Sequence, residues 1–231
     1  MKYEITDIAH PQNPKMRRIR ALVAIAALAI FPGDLGGYVE SEKNLDQDGD
    51  AWVSGNARVS GNARVSGNAL VYGNAWVSGN ARVSGDAWVS GNALVYGNAW
   101  VSGNAWVSGD AQVSGDALVY GNAWVSGDAW VSGDAWVSGD ASIMWISRIG
   151  SENGTLTVCT GKIGLIAARG CFSGSIDEFA AAVDKQHGGS QIATEYELAI
   201  ALCRLRLADA QAKVDSGEEI APEKANPKEA A

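Results

Sequence analysis

Across residues 51–140 apolar and polar positions recur with a six-residue period that never slips. There are fifteen consecutive hexads of the form A-x-V-S-G-[N/D], with tyrosine replacing serine in three of them. Within each hexad Ala and Val point to one face of a short extended segment while x and Ser point to the other. Gly followed by Asn or Asp then turns the chain, because these residues tolerate positive φ best. Three short strands and three corners close a triangular coil of eighteen residues. Coils stacked at about 4.8 Å would make a prism about 24 Å long, filled by Val and Ala. The phase extends upstream through Val39, Asn44, Leu45 and the corner Gly49-Asp50. Downstream it predicts Ala141/Ile143 and Ser147/Ile149 as inward pairs, for six to seven coils with degenerate, capped ends.

The flanks follow other patterns. Residues 2–7 and 17–22 read as strands of a hairpin joined by a proline-containing loop at 10–14. Asn153-Gly154 is a hairpin turn between strands at 146–149 and 155–159, and 163–167 is a further strand. Ser175-Ile176-Asp177-Glu178 is a capping box opening a helix that ends near Gly188. A second helix covers 194–214, and the polar tail 217–231, with Pro222 and Pro227, reads as disordered. The chain thus divides into an N-terminal cap (1–38), the repeat prism (39–152), a C-terminal hairpin with two helices (153–216), and the tail.

Rewritten from valine, each hexad reads V-S-G-N-A-x, which resembles the hexapeptide-repeat superfamily over ninety of the 231 residues. That resemblance implies an all-β core, a left-handed parallel β-helix, with the left hand taken from the superfamily. A narrower resemblance is carried by Arg18-Ile19-Arg20-Ala21-Leu22, Gly33-Asp34-Leu35-Gly36-Gly37-Tyr38-Val39-Glu40, Glu42, and Asn44-Leu45. At the other end Gly170-Cys171-Phe172-Ser173-Gly174, Glu178-Phe179, His187-Gly188 and Tyr196 carry it. These segments are similar to the opening and closing modules of hexapeptide-repeat proteins found in bacteriophage and prophage genomes. The run at 23–31 departs from them.

The superfamily contains acyltransferases with a histidine base on the coils, and carbonic anhydrases that hold a metal with histidines. Here the two histidines, His10 and His187, both lie outside the repeats. No coil residue therefore serves as a base at neutral pH or as an imidazole ligand. Cys171 and His187 share the terminal module. A packed turn cysteine and a helix-end histidine are the favoured reading over a nucleophile pair. The reading is of a protein with no catalytic residues, no cofactor and no metal. The stacked corner carboxylates Asp110/Asp128 and Asp116/Asp134 form a weak Ca²⁺ candidate, set against plain solvation.

Charge and cysteine usage narrow the partners. A formal net charge of −8 repels phosphate backbones, so nucleic acid is not an expected partner. Cys159, Cys171 and Cys203 are odd in number and lack C-x-x-C spacing, which fits reduced thiols in a cytosol. Met16-Arg17-Arg18-Ile19-Arg20 before the apolar run at 21–31 has the outline of a secretion signal. The run is too short to span a bilayer and lacks a convincing cleavage site, so no membrane association is expected. The expected site of action is the host cytosol, with secretion as the alternative.

The outward x positions are the most informative. Taking every third hexad, one face carries Trp52, Leu70, Trp88, Trp106 and Trp124; a second carries Arg58, Trp76, Leu94, Gln112 and Trp130; the third carries Arg64, Arg82, Trp100, Leu118 and Trp136. Arg82 is one rung from Trp100, a cation–π spacing. So many outward tryptophans are hard to leave in water. Three covers are open: a homo-oligomer, trimer or dimer; the chain's own terminal segments; or a ligand stacked on the rings. The second helix adds a heptad-like seam, Tyr196, Ile200, Cys203, Leu207, Ala210 and Val214, which packs on the prism or pairs with another subunit. The expected function is a non-enzymatic, oligomeric binding or scaffold protein of phage or prophage origin, with a host protein, such as a defence factor, as partner. A structural spacer of a virion or fibre is the alternative; an acyltransferase-related enzyme is disfavoured. If the hexad phase is right, Val101→Asp puts an unpaired carboxylate in a narrow apolar prism and costs about 3 kcal/mol or more. Thermal melting followed by circular dichroism checks this; cooperative unfolding at the parent temperature would mean that the valines face outward.

Overall fold

A computed structural model describes residues 1–218; the tail expected to be disordered lies, from 219 on, outside the described residues. The chain forms a β-solenoid of about six turns, entered through a strand meander and closed by a small sheet with two helices. Strands β1 (Tyr3–His10), β2 (Asn13–Ala21) and β3 (Leu35–Val39) pair antiparallel in order. Fifteen two-residue strands follow, β4 (Trp52–Val53) to β18 (Trp136–Val137), each the x-V pair of one hexad. They assemble into three parallel sheets at an eighteen-residue register, for example Trp88 opposite Leu70 and Trp106, and Trp100 opposite Arg82 and Leu118. β3 joins the first of these sheets by pairing parallel with β5 (Arg58–Val59).

Sterics inside the prism select the two inward residues. Every hexad Ala and Val from Ala51 to Val137 is at most 1 % exposed. Ala sits next to the corner, where the walls converge, and Val fills the wider middle. Glycine is required at the corner for two separate reasons, seen at Gly103. Its φ is +66°, and a Cβ there would lie 2.9 Å from the nitrogen of Gly121 in the next coil.

A stack of parallel coils leaves open edges at both ends, and each cap meets the exposed backbone groups with side chains. At the first coil the fully buried Asn44 accepts from the N–H groups of Glu40 and Ser41 at 3.1 and 2.8 Å. Its amide donates to the carbonyls of Gly61 and Ala63 at 3.0 and 2.8 Å. Glu40 accepts from Gly61 N–H at 2.7 Å. Lys2 Nζ donates to the carbonyls of Asp48, Gly49 and Ala51. Burial holds its pKa below the usual lysine value, against the raising pull of Asp46, Asp50 and Asp48. Burial likewise pushes the Tyr3 hydroxyl, which donates to the Leu45 carbonyl at 2.7 Å, up to about 12. At the last coil Trp130 N–H donates to Thr157 Oγ1 at 2.9 Å, and Trp136 N–H to the Thr160 carbonyl at 2.8 Å.

The structure departs from the expected flanks in four places. The 10–14 loop shrinks to a turn at Pro11-Gln12, because β1 and β2 run on to His10 and from Asn13. The apolar run at 21–31 ends β2 at Ala21 and continues as a connection with a short 3₁₀ turn, Ala26–Leu28; Ile25 is buried in the core, while Leu22, Val23 and Phe31 stay in water. The solenoid phase stops before Ser147/Ile149. β19 (Ile143–Ile149) leaves the stack and pairs antiparallel with β20 (Gly154–Cys159), while Ala141 and Ser147 are exposed. Finally, β21 (Ile166–Arg169) begins later than expected and pairs with β22 (Phe172–Ser175).

Helix α1 (Ile176–His187) opens on the expected capping box. Ser175 Oγ accepts from Glu178 N–H at 3.2 Å and Ser175 N–H donates to the Glu178 carboxylate at 2.9 Å, which holds that carboxyl below its usual range. Helix α2 (Gln191–Ser216) buries the whole predicted seam, with Tyr196, Ile200, Cys203 and Leu207 packed against β19–β21 and α1 and Phe179 edge-on to Tyr196 at 5.4 Å. Among the described residues no helix is long and apolar enough to cross a membrane.

If Asn44 is what closes the first coil, Asn44→Ala strands two donors and two acceptors and should cost about 2–4 kcal/mol. Asn62→Ala, on an exposed corner, should stay within about 0.5 kcal/mol of the parent. Urea unfolding midpoints compare the two; equal losses would remove the cap from Asn44.

Candidate interaction faces

The three sheets reproduce the three outward faces, but the eight tryptophans meet different fates. Trp52 is 2 % exposed and so does not offer the interface surface expected of it: Tyr3 packs edge-on at 6.5 Å between ring centroids, and β2 and β3 cover it. Gly36 makes this possible, since a Cβ there would lie 2.8 Å from the Trp52 ring. Trp100 is also buried, in a cluster with Leu118, Tyr120 and the half-buried Trp136. Trp130 is half-buried at the last coil, where β20 and β21 lie against its strand. Trp76 is partly shielded by Arg58, whose guanidinium lies 4.6 Å over its ring. The cation–π contact expected at Arg82 and Trp100 therefore falls one face away; the Trp100 indole instead donates to Ser84 at 3.0 Å.

Trp88, Trp106 and Trp124 remain. They occupy consecutive rungs of one face and are 42, 39 and 51 % exposed. Successive ring centroids are 5.7 Å apart, wider than the coil spacing; the first pair is edge-on and the second stacked. Tyr72 extends the row, edge-on to Trp88 at 6.3 Å. Beyond Trp124 the strip opens into a hollow of about 400 Å³ lined by Trp124, Ser126, Ile143, Met144 and Trp145. Ile143 and Met144 also line a groove reaching Leu202 on α2.

Sequence reasoning missed what orients the indoles. Trp76, Trp100, Trp106 and Trp130 each donate from Nε1 to the hexad serine sixteen residues earlier, Ser60, Ser84, Ser90 and Ser114, at 3.0–3.4 Å. The signal was present, since an outward serine follows every valine except in the three Leu-Val-Tyr hexads. Also missed is the outer face of α2. The seam Tyr196, Ile200, Cys203, Leu207, Val214 packs within the subunit, which corrects its reading as an oligomerisation helix. Leu198, Leu202 and Leu205 are left exposed at the same four-three spacing.

The corners carry side-chain ladders. Asn56, Asn74 and Asn92 each donate to the next coil, the last to Asp110 at 2.9 Å; Asn62, Asn80 and Asn98 do the same, ending on Asp116 at 3.0 Å. Asp128 and Asp134 lie on the same two edges, so the four carboxylates form two pairs on different edges. Among the described residues no group of three or more His, Cys, Asp or Glu is placed to hold a metal ion. Cys171 lies in the turn between β21 and β22, and His187 in the last turn of α1.

A stack of hexad coils with such faces defines a β-solenoid repeat protein. The repeats match the family described as the YdcK β-solenoid repeat at residues 51–65, 63–79, 75–91, 87–103, 93–109 and 111–127. These segments span 76 of the 231 residues, and the chain is similar to that family over its solenoid. No curated protein matches the chain.

The cysteines differ in environment. Burial pushes Cys159 up to about 12 and Cys203 up to about 11, while Cys171 is exposed. Iodoacetamide at pH 8 should therefore label the folded chain once, at Cys171, and a Cys171→Ser protein not at all. Mass spectrometry reads the count; fast labelling of Cys159 would place that thiol outside the core.

Proposed function

We propose that this protein is a non-enzymatic scaffold that works as a two-fold assembly of copies of itself, joined along the Trp88–Trp106–Trp124 strip. The observation that carries this reading is the continuous exposure of three indoles on one face. Every outward position on that face from Leu70 to Ser126 is uncharged. An apolar strip of this kind is costly in water, and tryptophan is the residue most enriched at interface hot spots. A second copy is the favoured occupant because its rungs repeat with the same pitch, so rings meet rings along the whole strip. A single strip per subunit favours an isologous dimer over the trimer that three open tryptophan faces suggest.

In this reading the chain is a left-handed hexapeptide-repeat protein of phage or prophage origin, acting in the host cytosol on a host protein. The supporting features are the V-S-G-N-A-x register, the terminal segments around Gly33–Glu40 and Gly170–Gly174, and three unpaired thiols. The end modules, where the sequence stops repeating, supply the distinct surface that recognition needs.

Light scattering on the purified protein should give twice the chain mass. Trp106→Ser combined with Trp124→Ser should give the monomer mass with an unchanged circular dichroism spectrum. A parent that is monomeric, or a double variant that keeps its mass, removes the strip as an interface.

A further inference from the structure

Near the start of the solenoid, the β1–β2 turn bends over the first coils and forms one wall of an open cleft of about 400 Å³. Its walls are His10, Gln12, Tyr38, Asn56, Arg58 and Asn74, with no carboxylate among them. We infer that this cleft binds the phosphate or carboxylate group of a small molecule.

Three features argue for an oxyanion. First, the cations here are unneutralised in a chain of net charge −8. Nearby Arg17, Arg20 and Arg64 pair with Asp7, Glu4 and Asp46, but among the described residues no carboxylate pairs with Arg18 or Arg58. Second, both guanidiniums are oriented, Arg58 in the cleft wall and Arg18 beside it on Tyr38. Arg58 Cζ lies over the Trp76 ring, 4.6 Å from its centroid, and among the described residues its N–H groups meet no protein acceptor. Arg18 lies 4.7 Å from the Tyr38 ring centroid and donates to the Tyr38 hydroxyl and the Gly36 carbonyl. A stacked, planar fork of N–H donors matches the two oxygens of a carboxylate or phosphate.

Third, the rest of the wall offers donors. Gln12 N–H donates to His10 Nδ1 at 3.2 Å, so the neutral ring carries its proton on Nε2. The His10 ring is held edge-on to Tyr38 at 4.7 Å between centroids. Asn56 uses one amide N–H on Asn74, whose own amide donates to Asn92, leaving each a second N–H. The volume falls in the range of about 300–1,000 Å³ typical of small-molecule sites.

The test is an NMR titration that follows the Arg58 Nε–H and His10 ring signals, with inorganic phosphate and with acetate as probes. Sodium chloride at matched ionic strength is the reference. Saturable shifts are expected, weakened at least about tenfold in Arg58→Gln, which removes the fork. They should be unchanged in Arg82→Gln, which removes the same charge from another face. Tighter saturation by phosphate assigns a phosphorylated ligand and by acetate a carboxylated one; either supports the site. Shifts that follow ionic strength alone, or an Arg58→Gln protein that saturates like the parent, overturn it.

Discussion

Within the stack the strands of each coil hydrogen-bond to the coils above and below, through contacts such as Arg58 N–H to the Ala75 carbonyl at 2.9 Å and Ser60 N–H to the Val77 carbonyl at 3.0 Å. A coil alone would leave most of its backbone unsatisfied, and its valines and alanines would have nothing to pack against. Stability therefore grows by stacking, and the two ends are where stacking fails. The other parts of the structure answer that constraint. Asn44, Glu40 and Lys2 satisfy the first coil, while Thr157 and Thr160 satisfy the last.

The solenoid was readable in the sequence because one six-residue rule fixes inward side chains, corners and faces together. Its period allowed no second register for Val and Ala. The caps were not readable, because their contacts join side chains to partners far along the chain. Lys2 reaches the Ala51 carbonyl and Gln211 meets Gly161 from fifty residues away. Covering of individual outward tryptophans was equally hidden. Trp52 and Trp88 sit in near-identical hexads, yet β2 and β3 bury the first and leave the second in water. Period says which way a side chain points, not what lies over it.

The C-terminal module shows the same limit from the other side. Ile143 keeps its inward place in the prism core, so the hexad phase reads on correctly at that residue. The chain then turns away, because β19 gains a continuous antiparallel partner in β20 and a helix to cover it. The α2 seam was legible as an apolar stripe, and packing settled that its cover lies within the same subunit. The turn at Asn153-Gly154 and the Ser175 capping box were local signals, and local chemistry was enough to place them.

The eighteen-residue register has a consequence for how such a chain changes over time. Near-identical hexads invite unequal recombination, and three sheets give the three possible outcomes different meanings. Gain or loss of three hexads lengthens or shortens the rod and leaves every face aligned. Gain or loss of one hexad turns the C-terminal module by a third of a revolution relative to the N-terminal cap, and two hexads turn it by two thirds. The repeat thus behaves as an indexed shaft: its length and the mutual bearing of its two ends can be reset by whole steps, with no change to any residue in the core.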